Sequence, residues 1–278
     1  MKHLKNTHSS AVIEGSFGRV EVMNLNHDLV MQAHPRTHFG YWLGGGKAQA
    51  NIDGKVVNFN DENALVANSH ESHDLRLADT EQPAQFLMLY VNDDWLDGLH
   101  QHLGCPVVLS QPHIAITTQI REACASLLVL LDSEKNVRYP LLEVGVRQLV
   151  EKTIAMNMHA LPRMGDMQRR KLIDYRLRVA IAHMRSQLGQ PVVAEQIAEV
   201  VGLSRSRFFE LFHDQLKTSP QVYWNSIRVE EAVKRLVMKK ESLTHLSMDL
   251  GFSTPGNFSR FFRDHKGMTP SHYRKACH

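Results

Sequence analysis

Short apolar segments separated by turn residues run from Phe17 to Val91, which is typical of β-strands. Residues 48–52 and 55–59 largely alternate apolar and polar side chains on either side of Asp53-Gly54. An Asp-Gly pair between alternating segments predicts a β-hairpin. Residues 86–91 are apolar throughout, as in a strand that is buried on both faces. Many short strands at this spacing predict a small barrel or sandwich.

Beyond Trp95 the apolar positions recur at three- and four-residue steps, which predicts amphipathic helices. Two successive stripes comprise Ile116, Ile120, Cys124, Leu127, Leu128 and Leu131, and then Leu142, Val146, Leu149, Val150, Thr153 and Ile154. Helices of this kind pack either on the barrel or on the same helices of a second subunit. Heptad-like spacing over so few turns leaves both arrangements open.

A pattern of helix, glycine turn and helix occurs twice after residue 169. Phe208, Phe212, Asp214, Pro220 and Tyr223 recur 50 residues later as Phe258, Phe262, Asp264, Pro270 and Tyr273. Gly202 corresponds to Gly251 at an offset of 49, so one residue is added near Thr254-Pro255. The repeat predicts two helix-turn-helix units joined by a connecting helix.

The helix that begins near Pro255 has two chemically different faces. At 100° per residue, one face gathers Phe258, Phe261, Phe262 and His265. The other face gathers Gly256, Asn257, Arg260, Arg263 and Asp264. Amide and guanidinium groups that project from the N-terminal half of a helix suit the major groove of DNA.

Charge is divided unevenly along the chain. Residues 1–167 contain 13 Lys and Arg against 19 Asp and Glu, a net charge of −6. Residues 168–278 contain 19 against 10, a net charge of +9. A basic half that also carries the helical repeat indicates nucleic-acid binding, coupled to a different task in the acidic half.

Length and composition narrow the class of protein. A chain of 278 residues predicts two domains, and three widely spaced cysteines suggest neither a disulfide framework nor a cysteine-based zinc site. The first ten residues are polar, and the longest aliphatic run, 127–131, is too short to span a bilayer. We therefore expect a cytoplasmic protein without a membrane partner.

Residues near the C-terminus also resemble a known family. Gly251-Phe252-Ser253, Phe258-Ser259-Arg260-Phe261-Phe262 and Gly267-Met268-Thr269-Pro270-Ser271-His272-Tyr273-Arg274 closely resemble the C-terminal signature of AraC/XylS-type transcription regulators. The resemblance covers roughly residues 172–274 and implies two helix-turn-helix units that read adjacent major grooves of double-stranded DNA. Ser247 departs from it, since the family usually has alanine there, and a buried hydroxyl at that position needs a backbone partner.

The expected architecture is α+β with two domains. We predict a cupin-like effector-sensing barrel over residues 1–100, a helical dimerisation segment over 101–163, a linker over 164–168 and a DNA-binding domain over 169–278. The N-terminal part is expected to be a cupin-like β-barrel with flanking helices, and the C-terminal part an all-α double helix-turn-helix. The resemblance of the N-terminal part to a cupin barrel rests on the pattern and the placement of its predicted strands.

The family pattern places base contacts at Gly256, Asn257 and Arg260, on the face that the periodicity turns outward. Arg260 corresponds to Glu210 in the first unit. Either Glu210 accepts a hydrogen bond from cytosine N4, or the first unit anchors to the DNA backbone through Arg205 and Arg207. The predicted DNA-binding residues are Arg205, Ser206, Arg207, Glu210, Thr254, Gly256, Asn257, Arg260 and Arg263.

Histidines make a second candidate constellation, in the predicted barrel. His34, Arg36 and His38 share one face if their segment is extended, and His70 and His73 follow a later strand. Such groups can hold a metal, line a ligand pocket or serve structural roles. We predict an effector pocket without a bound metal or cofactor, made of His34, Arg36, His38, Tyr41, Trp42, His70 and His73.

These patterns together predict a DNA-binding transcription regulator that responds to a small-molecule effector and is not an enzyme. The expected partners are double-stranded DNA, the effector and a second copy of the chain, joined through helices of residues 117–158. RNA polymerase is a further candidate partner. The alternative is a metal-dependent cupin enzyme or metal sensor fused to a DNA-targeting module, although the sequence contains no clear catalytic triad or phosphate-binding loop.

Overall fold

The computed structural model describes residues 10–103, 109, 111–132, 139–157, 173–191, 193–238 and 241–277. The predicted linker, 164–168, lies outside the described residues. Within those ranges, no helix combines the length and the apolar character needed to cross a membrane.

The N-terminal domain consists of two antiparallel sheets and three helices, within the described residues. Its strands are β1 (Ala11–Gly15), β2 (Gly18–Leu25), β3 (Leu29–Gln32), β4 (Thr37–Gly45), β5 (Ala48–Ile52), β6 (Lys55–Phe59), β7 (Asn63–Ala67), β8 (His73–Leu77), β9 (Ala84–Val91) and β10 (His113–Ala115). Its helices are α1 (Asp93–Leu103), α2 (Thr118–Asp132) and α3 (Tyr139–Asn157). The six-stranded sheet has the order β1-β2-β9-β4-β7-β10, and the four-stranded sheet has the order β3-β8-β5-β6.

The predicted hairpin is confirmed. β5 and β6 pair from Ala48 opposite Phe59 to Ile52 opposite Lys55. The turn residues Asp53 and Gly54 have φ angles of 47° and 81°, the left-handed conformations that a two-residue hairpin turn requires.

The six-stranded sheet is buried on both faces, which explains the uninterrupted apolar run at 86–91. Phe86 and Met88 of β9 belong to the core between the two sheets. Leu87 and Leu89 belong to a second core, which the apolar stripes of α2 and α3 complete. These stripes therefore pack on the six-stranded sheet of their own chain.

The C-terminal domain is helical throughout its described part. It contains α4 (Tyr175–Ser186), α5 (Ala194–Val200), α6 (Arg205–Leu216), α7 (Pro220–Met238), α8 (Leu243–Asp249), α9 (Pro255–Lys266) and α10 (Pro270–Ala276). The helices from α4 to the first half of α7 enclose one core. The second half of α7 and the helices α8 to α10 enclose another. The predicted architecture of a β-rich domain followed by a double helix-turn-helix is confirmed.

The two helix-turn-helix units repeat each other in detail. The side chain of Ser204 accepts a hydrogen bond from the amide of Arg207 at the start of α6. Thr254 does the same for Asn257 at the start of α9. Since these two caps are 50 residues apart, the added residue lies between Gly251 and Thr254. The structure also supplies the backbone partner expected for Ser247, whose hydroxyl donates to the carbonyl oxygen of Thr244 at 2.8 Å.

Replacing Gly251 with alanine should destabilise the protein more than the equivalent change at Gly202. Both glycines have positive φ, +74° and +66°, where a Cβ costs about 1–2 kcal/mol. A Cβ at position 251 would also lie 2.7 Å from the carbonyl oxygen of Gly189, whereas none of the described atoms lies within 4 Å of a Cβ at 202. Chemical denaturation followed by circular dichroism measures the two losses, and equal losses would contradict the clash.

Candidate functional site

The outer face of α9 carries the predicted DNA-reading side chains. Phe258 and Phe262 are fully buried and fix the helix to its core. Thr254, Gly256, Asn257, Arg260 and Arg263 are all exposed. The side-chain amide of Asn257 donates to Ser253 Oγ at 2.9 Å, which orients it on the solvent side. The helix thus presents amide and guanidinium groups to the solvent.

Arg260 differs from the other arginines on the two recognition helices. Among the described residues it forms no ion pair, and the nearby carboxylate of Asp264 lies 3.9 Å from Arg263 instead. In the first unit, Arg205 pairs with Glu195 at 2.8 Å and Arg207 pairs with Glu210 at 3.1 Å. The guanidinium of Arg260 is therefore available for a base edge, while those of the first unit are partly neutralised.

The exposed face of α6 carries the predicted residues of the first unit: Arg205, Ser206, Arg207 and Glu210. The helical period also predicts Phe209 in the buried stripe of α6, together with Phe208, Leu211 and Phe212, but Phe209 is 36% exposed. That placement was wrong because Phe208, Leu211 and Phe212 already fill the face towards the core. Glu195, which pairs with Arg205, lies on α5. The sequence pattern of α6 alone therefore does not predict this ion pair.

Inside the N-terminal domain the structure brings His34, His38 and His73 together. Their ring centroids are 4.8 Å apart for His34 and His38, 4.9 Å for His34 and His73, and 4.4 Å for His38 and His73. All three side chains are buried. Tyr90 of β9 lies beside them, with its ring stacked on that of His38 at 5.4 Å.

The other predicted effector residues lie outside this cluster. Arg36 pairs with Glu14 at 2.8 Å, because the chain bends at 35–36 and does not extend through His38. The Tyr41 hydroxyl bonds Thr153 on α3 at 2.8 Å, since odd positions of β4 face the helices.

Trp42 and His70 are also held elsewhere. Trp42 donates its indole N–H to the carbonyl oxygen of Gly46. His70 Nδ1 lies 2.7 Å from the hydroxyl of Tyr223 in the DNA-binding domain. The sequence pattern therefore predicted one cluster where the structure has five separate environments: the three histidines together, and Arg36, Tyr41, Trp42 and His70 each elsewhere.

A cavity lies between the two sheets beside His38, His73 and Tyr90. Most of its remaining lining is apolar: Met23, Leu25, Leu29, Ala50, Phe59, Leu65, Leu75, Phe86 and Met88. Its volume is about 30 Å³. That is room for a few water molecules, far below the ~300–1,000 Å³ of pockets for drug-sized ligands.

Buried charges connect this domain to the recognition helix α9. Glu21 of β2 lies 2.6 Å from Arg19 Nε and 3.1 Å from Lys266 Nζ. Lys266 is the last residue of α9, and its ammonium also donates to the hydroxyl of Tyr90 at 3.3 Å. Tyr273 of α10 donates a hydrogen bond to Glu21. We call Arg19, Glu21, Lys266 and Tyr273 the interdomain charge cluster.

The pKa values within this cluster follow from burial and pairing. Burial alone would raise the pKa of Glu21, but the charges of Lys266 and Arg19 and the hydrogen bond from Tyr273 outweigh it and lower that pKa. The pKa of Lys266 is lowered, because the effect of burial exceeds the attraction of Glu21. Glu21 is therefore an anion at neutral pH and pairs with both cations, while Arg19 is paired with Glu230 of α7 as well, at 3.1 Å. The sequence patterns did not predict that these residues come together.

Each of the two domains matches a known protein family. Residues 15–149 match the family described as AraC-like ligand binding domain, and residues 197–276 match the family described as helix-turn-helix domain. The chain belongs to the AraC-type transcription regulators.

Relatives of this chain are described as HTH-type transcriptional regulators. An uncharacterized HTH-type transcriptional regulator of Haemophilus influenzae is 27% identical over 105 residues, which are 38% of this chain and 35% of that protein. The uncharacterized HTH-type transcriptional regulator YobQ of Bacillus subtilis is 32% identical over 99 residues, 36% of this chain and 41% of YobQ. The matches span less than half the length of either relative.

Solved structures share the complete fold of the AraC-type chain. A lysine-to-alanine variant of ToxT from Vibrio cholerae, in its apo form, matches 95% of this chain and 98% of its own, with a TM-score of 0.63 and 11% identity. Wild-type ToxT with a bound unsaturated fatty acid matches 93% of this chain and 95% of its own, with a TM-score of 0.55 and 11% identity. At this identity the likeness concerns the fold alone.

Proposed function

We propose that this AraC-type regulator binds DNA sequence-specifically, chiefly through the second helix-turn-helix unit. The guanidinium of Arg260, which lies on the exposed face of α9 and forms no ion pair with any described residue, carries this proposal. Arginine reads guanine through two hydrogen bonds in the major groove. The first unit, whose Arg205 and Arg207 are engaged by Glu195 and Glu210, contributes backbone anchoring and a weaker base preference.

The N-terminal domain contacts α9 directly, so a conformational change in that domain can alter the position of this helix. β3 packs against both α7 and α9. The amide of Ala33 donates to Ser226 Oγ at 2.9 Å, and His27 Nε2 lies 3.0 Å from the carbonyl oxygen of Arg263. A molecule that binds one arrangement of this interface better than another shifts how α9 is presented to DNA.

A small-molecule effector is proposed to act at this interface. The cavity between the sheets has too little volume for an organic molecule in this conformation. An open cleft of about 550 Å³ lies between the N-terminal domain and the second unit. Arg263, His272 and Lys275 are among its lining residues, which favours an anionic compound. The unsaturated fatty acid bound to ToxT is consistent with an effector of this charge.

A homodimer is proposed to form through α2 and α3. Their buried stripes are used within the chain, so a second copy would contact the outer faces. Val129, Leu141 and Val144 on these faces are 69%, 47% and 50% exposed. Large exposed apolar side chains of this kind suit a protein–protein contact.

Removal of the Glu210 carboxylate tests the proposed roles of the two units, in which the second chiefly reads bases and the first chiefly contacts the DNA backbone. Full-length wild type and Glu210→Ala would each be used to enrich duplexes from a random DNA library. We expect the Glu210→Ala motif to relax in one half only, and its affinity to rise because phosphate repulsion is lost and Arg207 is released. Sequencing of the enriched duplexes and fluorescence anisotropy measure both effects.

The matched control is Glu199→Ala, which removes the same charge from an exposed position on α5 of the first unit. This variant should enrich the wild-type motif with nearly wild-type affinity. Identical motifs and affinities for Glu210→Ala and Glu199→Ala would contradict a role for Glu210 at the DNA. Failure of the wild type to enrich any motif would contradict sequence-specific binding itself.

A further inference from the structure

Three buried histidines converge at one end of the two-sheet domain. His38 belongs to β4 of the six-stranded sheet, His73 to β8 of the four-stranded sheet, and His34 to the connection between β3 and β4. Each offers a ring nitrogen that lies within 4.8 Å of those of the other two. Three separate segments of backbone thus direct imidazoles to one point.

Two of the rings are oriented by backbone carbonyls. Nδ1 of His38 lies 3.2 Å from the carbonyl oxygen of Arg36, and Nδ1 of His73 lies 2.9 Å from that of Glu71. Because a carbonyl oxygen only accepts, each Nδ1 carries the proton and each Nε2 keeps its lone pair. Metal-bound histidines characteristically donate their second ring nitrogen to a carbonyl or carboxylate in this way.

The third ring has an unsatisfied atom. Within the described part of the chain, Nδ1 of His34 is buried and has no hydrogen-bond partner. Buried polar atoms are nearly always paired, so an unpaired one at the centre of a histidine cluster indicates a missing partner. A coordinate bond to a cation would satisfy it.

The three imidazoles are in the protonation state that a cation requires. Burial lowers the pKa of His34 and His38 well below the usual value and that of His73 to about 4. All three rings are therefore neutral near pH 7, and a neutral imidazole is the form that coordinates a metal. The neighbouring ammonium of Lys266 is compensated by Glu21 at 3.1 Å.

We propose that His34, His38 and His73 form a binding site for a divalent transition-metal ion of the zinc class. Three neutral nitrogen ligands with room for a fourth ligand suit zinc, whereas calcium and magnesium prefer oxygen ligands. In a tetrahedral zinc site the nitrogens lie roughly 3.3 Å apart, which small rotations of these side chains can reach. The adjoining cavity of about 30 Å³ accommodates a water molecule as the fourth ligand.

The position of the site connects it to DNA reading. The ring of Tyr90 lies 5.4 Å from the rings of His34 and His38, and its hydroxyl accepts a hydrogen bond from Lys266 at the end of α9. A bound ion would therefore set the position of Tyr90 and, through it, the anchor of the recognition helix. The inference stands apart from the organic effector proposed above, which occupies a different cleft.

Zinc binding by tag-free full-length protein tests the site. The protein would be stripped with a chelator, loaded with zinc, desalted and assayed for metal by mass spectrometry. We expect one equivalent in the wild type and in His70→Asn, and loss of that equivalent in His38→Ala and His73→Ala. His70 is a matched control because it lies nearby but outside the cluster, and asparagine tolerates its positive φ of 68°.

Cobalt provides a readout that does not depend on how the variants fold. Cobalt-loaded wild type should show the visible absorption of a site with nitrogen ligands and low coordination number. Wild type that retains no stoichiometric zinc would overturn the proposal. Retention of as much zinc by His38→Ala and His73→Ala as by His70→Asn would overturn it too, since the ion would then sit on other histidines of the 17 in the chain.

Discussion

Substitution of Arg260 by alanine is expected to weaken binding to the enriched DNA sequence by about 5- to 150-fold, the equivalent of about 1–3 kcal/mol. The guanidinium is exposed and forms no ion pair with any described residue, so its loss leaves no buried charge and should not change the stability of the fold. Fluorescence anisotropy with the enriched duplex and with a scrambled duplex measures the effect. The preference between the two duplexes should fall with the affinity.

A matched control separates base reading from loss of positive charge. Arg76→Ala removes the same charge from an arginine that is 72% exposed on β8, in the N-terminal domain. It should leave the preference between the two duplexes intact. If Arg260→Ala and Arg76→Ala bind the enriched duplex equally well, the assignment of Arg260 to a base contact is wrong.

Substitution of Glu21 by alanine is expected to lower the free energy of unfolding by about 3–5 kcal/mol, because it leaves the buried ammonium of Lys266 without its carboxylate partner, whereas Arg19 keeps Glu230 at 3.1 Å. The loss should also separate the two domains, since Lys266 and Tyr273 belong to the DNA-binding domain. Urea denaturation followed by circular dichroism measures the change. Limited proteolysis should cleave the variant faster than the wild type.

Two further variants test whether the buried charges cause this loss. Glu195→Ala breaks the exposed pair with Arg205 and should change the free energy of unfolding by about 0–1 kcal/mol. Combining Glu21→Ala with Lys266→Met should recover part of the stability, because one unpaired cation is removed. An effect of Glu21→Ala no larger than that of Glu195→Ala would contradict the interdomain charge cluster.

Local patterns predicted most of the architecture. The Asp53-Gly54 turn and the apolar stripes depend on residues that are close in sequence, and the 50-residue repeat is visible when two stretches of the chain are compared. The structure confirms each of these predictions. The strands β1 and β10 were missed. β10 has only three residues and is held by pairing with β7, a partner distant in sequence.

The histidine cluster was predicted only in part, for a physical reason. Alternation along an extended strand groups His34 with Arg36, but the bend at 35–36 breaks that rule and turns Arg36 towards Glu14. The approach of His73 depends on how one sheet faces the other, which no periodicity encodes. The correct cluster required the pairing of β3 with β8.

The interdomain charge cluster was missed because the local sequence around its charged residues is typical of surface positions. Arg19 and Glu21 alternate with apolar residues in β2, as they would on a strand with one face in water. Lys266 at the C-terminal end of α9 is what the helix dipole favours. Only the docking of the second domain on β2 turns these surface-like positions into buried ones.

The connecting helix α7 has a consequence for the arrangement of the target. Its 19 residues form a rod about 28 Å long whose two halves are built into different cores. Successive major-groove segments on one side of DNA are about 34 Å apart, and each added base pair turns one of them by about a tenth of a turn. A rod shared by both cores cannot follow that rotation. DNA binding by both units therefore requires the two half-sites to have one fixed spacing and one fixed rotational orientation about the DNA axis, in addition to the correct bases within each half-site.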